Sequence, residues 1–190
     1  SEIMYNGPSG EGVNRDFVEI YDSEHVSCDL SGYRLNGDIQ YTFPAGKRLA
    51  ARSRLIVARN PSYMMAVYSN LNSANCLGPY TNDLPNSGGE VLLYGAMGEE
   101  LLRVEYNDAD PWPKSADGAG HSLVLTKPDF GEGDIRAWSA SATVYGNPAQ
   151  ENPTVTNYPL LNVCINELLA HTDPPDYDFV ELYNHANAAV

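Results

Sequence analysis

The stretch Asp16–Tyr21 reads DFVEIY, and it returns near the other end of the chain as DFVELY at Asp178–Tyr183. Five of the six positions are identical, and the sixth exchanges one branched aliphatic side chain for another. A shorter segment precedes each copy, Glu2–Met4 before the first and Glu167–Leu169 before the second. Recurring segments in the same order indicate a repeated structural unit. We therefore expect one domain-sized unit followed by the start of a second.

The first copy of the repeat has the period of a strand. Phe17, Glu19 and Tyr21 alternate with Val18 and Ile20, which places the two sets on opposite faces. Turn-forming Gly, Pro, Asn and Asp residues separate further short runs of the same kind. These runs are Tyr33–Leu35, Ile39–Phe43, Leu55–Ala58, Val91–Tyr94, Leu101–Tyr106 and His121–Leu125. Many short strands at roughly ten-residue spacing predict an antiparallel β-sandwich or barrel.

Two local elements can be predicted in more detail. Val91–Tyr94 and Leu101–Tyr106, joined across Gly95–Gly98, have the pattern of a β-hairpin. Pro61–Asn70 is the best helix candidate, because Asn60 suits the N-cap and Pro61 suits the first helical position. We expect at most this one short helix in an otherwise all-β chain.

The composition changes after residue 147. Asn, Pro, Thr and Gln dominate residues 148–162, and such a stretch is typical of a linker. The predicted organisation is therefore a β-sandwich over 1–147, a linker over 148–162 and the truncated start of a second repeat over 163–190. Apolar strands without their partners invite pairing with another sheet, so we also expect strand exchange through 163–190.

The acidic charge balance of the chain argues against some classes of binding partner. The 190 residues include 11 basic and 25 acidic side chains, for a formal net charge of −14. Nucleic-acid binding depends on Lys and Arg that neutralise phosphates, so we expect no nucleic-acid partner. Anionic membrane surfaces are disfavoured for the same reason, and no stretch approaches the ~20 apolar residues of a spanning helix. An acidic chain can still attract cations.

The cysteines give no sign of a zinc site. Cys28, Cys76 and Cys164 show no C-x-x-C spacing and no cluster with histidine. The sequence alone does not decide between a Cys28–Cys76 bridge and free thiols. We expect no cofactor, with calcium as the candidate metal that stays open.

Several segments follow one another in a characteristic order: Glu2–Asn6, Phe17–Tyr21, Asp29–Leu35, Tyr41–Gly46, Leu55–Ala58, Ser87–Leu93 and Tyr106–Leu125. Together they resemble a lamin-tail domain, the immunoglobulin-like β-sandwich of nuclear lamins and of many bacterial surface proteins. The resemblance covers most of Glu2–Asn147, and the DPWP segment Asp110–Pro113 is typical of the bacterial members. It implies an immunoglobulin-like antiparallel sandwich, and a place in a larger exported protein whose export signal lies outside this sequence.

The loop after the predicted hairpin holds the candidate metal ligands. Asp108 and Asp110 lie two positions apart and Asp117 follows, so their oxygens could face one Ca²⁺ ion if the loop curls. The full spacing of a calcium-binding EF-hand loop is absent. The alternative interpretation is a pair of Asx turns that stabilise the loop.

Two glutamates within apolar strands need a separate interpretation. Glu2 and Glu19 recur as Glu167 and Glu181 in the second copy. A carboxyl in such a run can be a catalytic acid with a raised pKa. The alternative that we favour is a structural residue on a solvated face, or one paired with an arginine such as Arg15 or Arg34. No second catalytic carboxylate can be placed opposite from the sequence.

The function that fits best is a non-catalytic interaction or structural module. It would bind protein or polysaccharide, or an adjacent repeat of the same protein, through loops and sheet edges. Trp112 between Pro111 and Pro113 is the predicted ligand contact, because prolines hold the indole at low entropic cost. The alternative is a core or rim tryptophan that closes the end of the sandwich. The alternatives are a calcium-stabilised repeat, and an accessory part of a hydrolase with acidic or metal-assisted catalysis. We expect an extracellular or cell-surface location in bacteria.

Overall fold

The computed structural model describes residues 1–8, 10–153, 163–171 and 177–184. The chain divides into two compact units, Ser1–Asn152 and Pro153–Val190. Residues 148–152 of the predicted linker lie in the first unit, and residues 154–162 lie outside the described residues. The division of the chain into a domain, a linker and a second repeat stays a prediction.

Strands dominate the first unit, and a hairpin forms the described part of the second. The strands are β1 (Glu2–Met4), β2 (Phe17–Tyr21), β3 (Cys28–Asp29), β4 (Arg34–Gly37), β5 (Tyr41–Thr42), β6 (Arg48–Leu49), β7 (Arg54–Ala58), β8 (Cys76–Leu77), β9 (Gly88–Tyr94), β10 (Glu100–Asn107), β11 (Leu123–Leu125), β12 (Trp138–Ala140), β13 (Val163–Leu169) and β14 (Phe179–Asn184). One α-helix, α1 (Pro61–Val67), and four 3₁₀ turns complete the described elements; the turns are Gly12–Arg15, Lys114–Ala116, Pro128–Phe130 and Ile135–Ala137.

Two sheets form the sandwich of the first unit. The larger has the order β12-β11-β1-β2-β7-β8, and the smaller has the order β10-β9-β4-β5. Strands β3 and β6 form a separate short antiparallel pair. Neighbours in these sheets are antiparallel except β7 and β8, which run parallel because the chain crosses over through α1 between them. The predicted all-β, immunoglobulin-like sandwich with one short helix is confirmed.

The main core lies between the two sheets. Ile3, Val18 and Val57 from the larger sheet pack with Leu35 and Leu93 from the smaller one. The alternating positions of the larger sheet point the other way, as the period of two requires. The alternation predicted for the first copy of the repeat is therefore present in the structure.

A second apolar cluster covers the outer face of the larger sheet. Met4 and Phe17 pack there with Ile56 and with Met64 of α1. The helix begins where predicted, because the Asn60 side chain accepts a hydrogen bond from the Tyr63 backbone N–H at 3.0 Å. It ends at Val67, three residues before the predicted end.

The predicted β-hairpin is present in the first unit. β9 and β10 pair across Gly95–Gly98, so the hairpin prediction is confirmed.

Cys28 is half-buried and Cys76 is buried, and both are free thiols. The bridge that the sequence left open is therefore absent between these two residues. Burial raises the pKa of the Cys76 thiol to about 11.

The described part of the second unit is a two-stranded antiparallel sheet of β13 and β14. Its register repeats that of β1 and β2. Glu167 lies opposite Glu181 and Leu168 lies opposite Val180, just as Glu2 lies opposite Glu19 and Ile3 opposite Val18. The repeat that was visible in the sequence is thus also a repeat of strand pairing.

Candidate functional site

The predicted contact loop follows β10. The backbone N–H of Trp112 donates to the Ala109 carbonyl at 3.0 Å, which closes a turn. The Trp112 indole is half-buried and packs against the main core, while Pro111 is exposed and Pro113 is half-buried. The side chain therefore has a packing role, and a ligand contact through Trp112, Pro111 and Pro113 stays a prediction.

The three aspartates of this loop have separate partners. Asp117 accepts a hydrogen bond from the Asn6 side chain at 2.7 Å. Asp110 lies 3.9 Å from the Lys114 ammonium group, which donates to the Asp108 carbonyl at 3.0 Å. Among the residues that the structure describes, no group of three or more His, Cys, Asp or Glu side chains is arranged to hold a metal ion. A calcium site at Asp108, Asp110 and Asp117 stays a prediction that no described contact supports.

The buried polar centre of the first unit is a pair of glutamates. Glu2 on β1 lies directly opposite Glu19 on β2, and their exposed fractions are 0% and 1%. The expectation of a solvated face was therefore wrong, and the arginine beside Glu19 is Arg54 of β7, at 3.3 Å, in place of Arg15 or Arg34. The reason is that the chain returns across the outer face of these strands and covers both carboxylates.

Glu2 accepts hydrogen bonds at both carboxylate oxygens. The hydroxyl of Ser122, which directly precedes β11, donates to Oε1 at 2.5 Å. The Asn147 backbone N–H donates to the same atom at 3.0 Å. The Asn152 side-chain amide donates to Oε2 at 3.1 Å. Gly146 passes so close that a Cβ there would lie 2.3 Å from Glu2 Oε1, which explains the need for glycine at this position.

Glu19 has a different set of donors. The Ser1 hydroxyl donates to Oε1 at 2.7 Å, and the Ala149 backbone N–H donates to Oε2 at 2.8 Å. Burial, and then the charge of Glu2, raise the pKa of Glu19 to about 7, although these donors and the Ser1 ammonium group act in the opposite direction. A protonated Glu19 is therefore well populated near neutral pH.

Two concave spaces of the described structure lie away from the glutamates. A cavity of about 220 Å³ is bounded by Asn6, Val13, Asp16 and Asn86 among others, and a shallow groove lies along β4 and β5. Neither Glu2 nor Glu19 lines these two spaces. The arrangement can hold protein segments together and can take up a proton.

Sequence reasoning missed a third buried acid on the same strand pair. Asp16 precedes β2 and is almost fully buried, and its Oδ2 atom has no hydrogen-bond partner within the described residues. Burial raises the pKa of Asp16 to about 8, with the negative charge of Asp83 acting in the same direction. The DFVEIY motif that marks the repeat therefore carries two of the buried acids.

In the described part of the second unit, the equivalent glutamate pair is exposed to solvent. Glu167 and Glu181 are exposed, and the Asn166 side chain donates to Glu181. Leu168 and Val180 are 66% and 55% exposed, whereas their counterparts Ile3 and Val18 are 2% and 5% exposed. The hairpin therefore displays apolar side chains that the first unit buries.

Comparison with known proteins is consistent with this architecture. A family model described as Lamin Tail Domain matches residues 1–108, which contain β1 to β10 and α1. No curated protein and no solved structure is significantly similar to the chain. Within the described residues, no helix is both long enough and apolar enough to cross a membrane.

Proposed function

The chain belongs to the lamin tail domain family, and on that premise we propose that it is a structural module that associates with another unit of its own fold. Domains of this family are immunoglobulin-like modules that are generally non-catalytic. We place the module in a larger exported bacterial protein, in contact with protein or polysaccharide through loops and sheet edges. Its most specific partner is a second lamin tail unit, which would cover β13 and β14.

The observation that carries the proposal is the different environment of two equivalent hairpins. In the first unit, one face of β1 and β2 packs in the main core and the other packs in the outer cluster. β11 pairs with the edge of β1 that faces away from β2, and β7 pairs with the edge of β2 that faces away from β1. In the described second unit, β13 and β14 form a sheet of two strands with exposed apolar residues on both faces.

Burial of these side chains would supply the driving force. Leu168, Val180 and Leu182 occupy the positions that enter the main core in the first unit, and each is more than half exposed. Full burial of one such side chain contributes roughly 1.5–3 kcal/mol. A two-stranded hairpin is at best marginally stable by itself in water. Binding of a partner that buries both faces would therefore also stabilise the hairpin.

The chemistry of the partner follows from the first unit. It must offer strand edges that pair as β7 and β11 do, and apolar side chains for the face that carries Leu168 and Val180. On the opposite face it must offer hydrogen-bond donors to Glu167 and Glu181, since Glu2 and Glu19 both accept from backbone N–H groups. A nucleic acid has none of these features, and the net charge of −14 opposes it.

Sedimentation velocity on the whole chain tests the proposal. In the absence of another partner, exposed hairpins should associate with those of a second copy, so the full chain should show concentration-dependent self-association. Truncation after residue 162 should leave a folded monomer. Val180→Lys in the full chain should have the same effect, because it places a charge in the apolar face.

A matched control separates hairpin association from general surface stickiness. Val26 is 76% exposed in the first unit, so Val26→Lys makes the same chemical change away from the hairpin. This variant should associate like the unsubstituted chain. If full chain, truncated chain and Val180→Lys sediment alike over the concentration range, the association proposal is wrong.

A further inference from the structure

We propose that residues 147–152 form a releasable strap across β1 and β2, and that the ionisation of Glu19 beside Glu2 sets how often the strap opens. The strap is the last segment of the first unit. The inference concerns Ser1–Asn152 alone and does not depend on association through the hairpin.

Three of the hydrogen bonds that hold the strap end on the two carboxylates. Asn147 and Ala149 donate through backbone N–H groups, to Glu2 at 3.0 Å and to Glu19 at 2.8 Å. Asn152 donates through its side-chain amide to Glu2 at 3.1 Å. The same two side chains therefore act at the start, the middle and the end of the strap.

The strap also has contacts that do not involve the carboxylates, and Pro148 is buried. The Asn70 side-chain amide donates to the Pro148 carbonyl at 2.8 Å, and Ala149 packs against the outer apolar cluster. Ala149 also has φ of 59°, in the left-handed region that residues with a Cβ rarely adopt. The closed strap thus combines an unfavourable backbone conformation with a dependence on buried charge.

The charged and titratable groups around the pair are few. β7 contributes Arg54, 3.3 Å from Glu19, and the segment before β1 contributes the Ser1 ammonium group, which donates to the Glu19 carbonyl at 2.9 Å. Burial lowers the pKa of that ammonium group. On the side of Glu2 lies the Tyr68 hydroxyl, at the end of α1, which accepts a hydrogen bond from Arg15 at 3.0 Å.

Farther off, Glu132 adds another negative charge near the Ser1 ammonium group. The segment before β11 contributes the neutral Ser122 hydroxyl beside Glu2 and, one residue earlier, the His121 imidazole, whose Nδ1–H donates to the Ser141 carbonyl at 2.7 Å. The Glu151 side chain of the strap is exposed. Arg54 and the Ser1 ammonium group both lie beside Glu19, and burial lowers the pKa of the ammonium group. Opening of the strap brings water to both carboxylates, and water favours their ionised forms.

The direction of the pH dependence follows from this balance. Protonation of Glu19 favours the closed strap, and its ionisation beside Glu2 favours the open one. The raised pKa of Glu19, described above, agrees with this direction. Opening should therefore increase as the pH rises from the ordinary glutamate range towards neutrality, and should level off above it. An open strap frees six residues, which add up to roughly 20 Å of reach.

Amide hydrogen exchange, read by NMR on the intact chain, tests the proposal directly. The Asn147 and Ala149 amides report on strap opening, because they bond to the carboxylates. The Ile56 amide, which donates to the Asn75 carbonyl inside the larger sheet, reports on global unfolding. After correction for intrinsic exchange, we expect the opening constant of both strap amides to rise at least tenfold between pH 5 and pH 7.

Variants of the intact chain identify the responsible group. Glu19→Gln should remove most of the pH dependence, and Glu151→Gln, an exposed change within the strap, should preserve it. Acetylation of the Ser1 amino group should also preserve it, which separates the titration of that group from that of Glu19. If Glu19→Gln does not fold, Asn152→Ala serves, because it leaves both carboxylates in place. It should raise opening about fivefold at every pH.

Two results would overturn the proposal. One is exchange at Asn147 and Ala149 that follows Ile56 at every pH, which would show that the strap opens only with the whole module. The other is an unchanged pH dependence in Glu19→Gln. Neither result bears on the sedimentation test of the hairpin, so failures of the two proposals can be told apart.

Discussion

Glu2 and Glu19 lie opposite each other on neighbouring antiparallel strands, with both carboxylates removed from solvent. Like charges in directly opposite positions are destabilising, and burial increases the cost. The fold compensates with Arg54 and with donors from three separate parts of the chain. This pair links the repeat motif in the sequence to the stability and pH response of the module.

The free energy of unfolding should fall as the pH rises from about 4.5 to about 7. The pKa of Glu19 is raised from 4.5 to about 7 in the folded protein, so its contribution is fully present below the lower value and lost on approach to the higher one. The loss amounts to roughly 3 kcal/mol. Asp16, with a pKa raised from 3.8 to about 8, acts in the same direction. Urea titrations at several pH values measure this slope.

Glu19→Gln should reduce the dependence of the unfolding free energy on pH by the equivalent of up to one proton. The part of this dependence that is due to Asp16 should remain. Glu24 is exposed, so Glu24→Gln is the control and should leave the slope unchanged. An equal slope in Glu19→Gln and in the unsubstituted chain would contradict the assignment.

Gly146→Ala should be strongly destabilising, because a Cβ at this position would lie 2.3 Å from Glu2 Oε1 and φ is +72°. We expect a loss of roughly 3 kcal/mol. Gly131→Ala is the matched control, since φ is +82° there and a Cβ would meet nothing within 4 Å. It should cost only about 1 kcal/mol. Equal losses in urea denaturation would show that the contact with Glu2 is unimportant.

Trp112→Ala should lower stability, because the indole packs against the main core. For a half-buried aromatic side chain we expect a loss of about 2 kcal/mol. Trp112→Phe should recover most of it. Thermal and urea unfolding measure the effect, and an unchanged midpoint would instead favour the interpretation of Trp112 as a free contact residue.

Calcium should leave the melting temperature unchanged. Asp108, Asp110 and Asp117 have separate neighbours in the structure, and a ligand raises the midpoint only if the folded state binds it. Scanning calorimetry with millimolar Ca²⁺ against chelator measures this. A reproducible rise that Asp110→Asn abolishes would restore the calcium-stabilised repeat as the better account.

Elements with local signals could be predicted from the sequence. Asn60 and Pro61 define the start of α1 by their own chemistry, and the glycines at 95 and 98 define the turn of the hairpin. The alternation around Val18 identified the two faces of β2 correctly. Each of these signals is contained within about ten residues.

The environment of the glutamates could not be predicted in this way. The strap residues Asn147, Ala149 and Asn152 lie 145, 130 and 150 positions from the carboxylates that they contact. A polar residue in an apolar strand has the same local pattern whether water or a distant segment covers it. The close approach of Gly146 was equally hidden, because its reason lies in Glu2 at the other end of the unit.

The recurrence of both glutamates was the one available clue. Glu167 and Glu181 repeat the pair in the second copy, which indicated a role in the fold of each unit. The structure agrees for the first unit, where Glu2 and Glu19 accept hydrogen bonds from the strap. For the second unit the role stays a prediction. Burial itself became visible only when the two ends of the unit were seen together.

Fragment complementation tests most directly the claim that β13 and β14 are equivalent to β1 and β2. A fragment of residues 23–152 lacks β1 and β2, and a peptide of residues 1–22 provides the positive control for its folding. We predict that the full chain also folds the fragment, detected by circular dichroism and co-elution, and that Val180→Lys prevents this while Val26→Lys does not. A fragment that folds with the peptide but stays unfolded with the full chain would contradict the account.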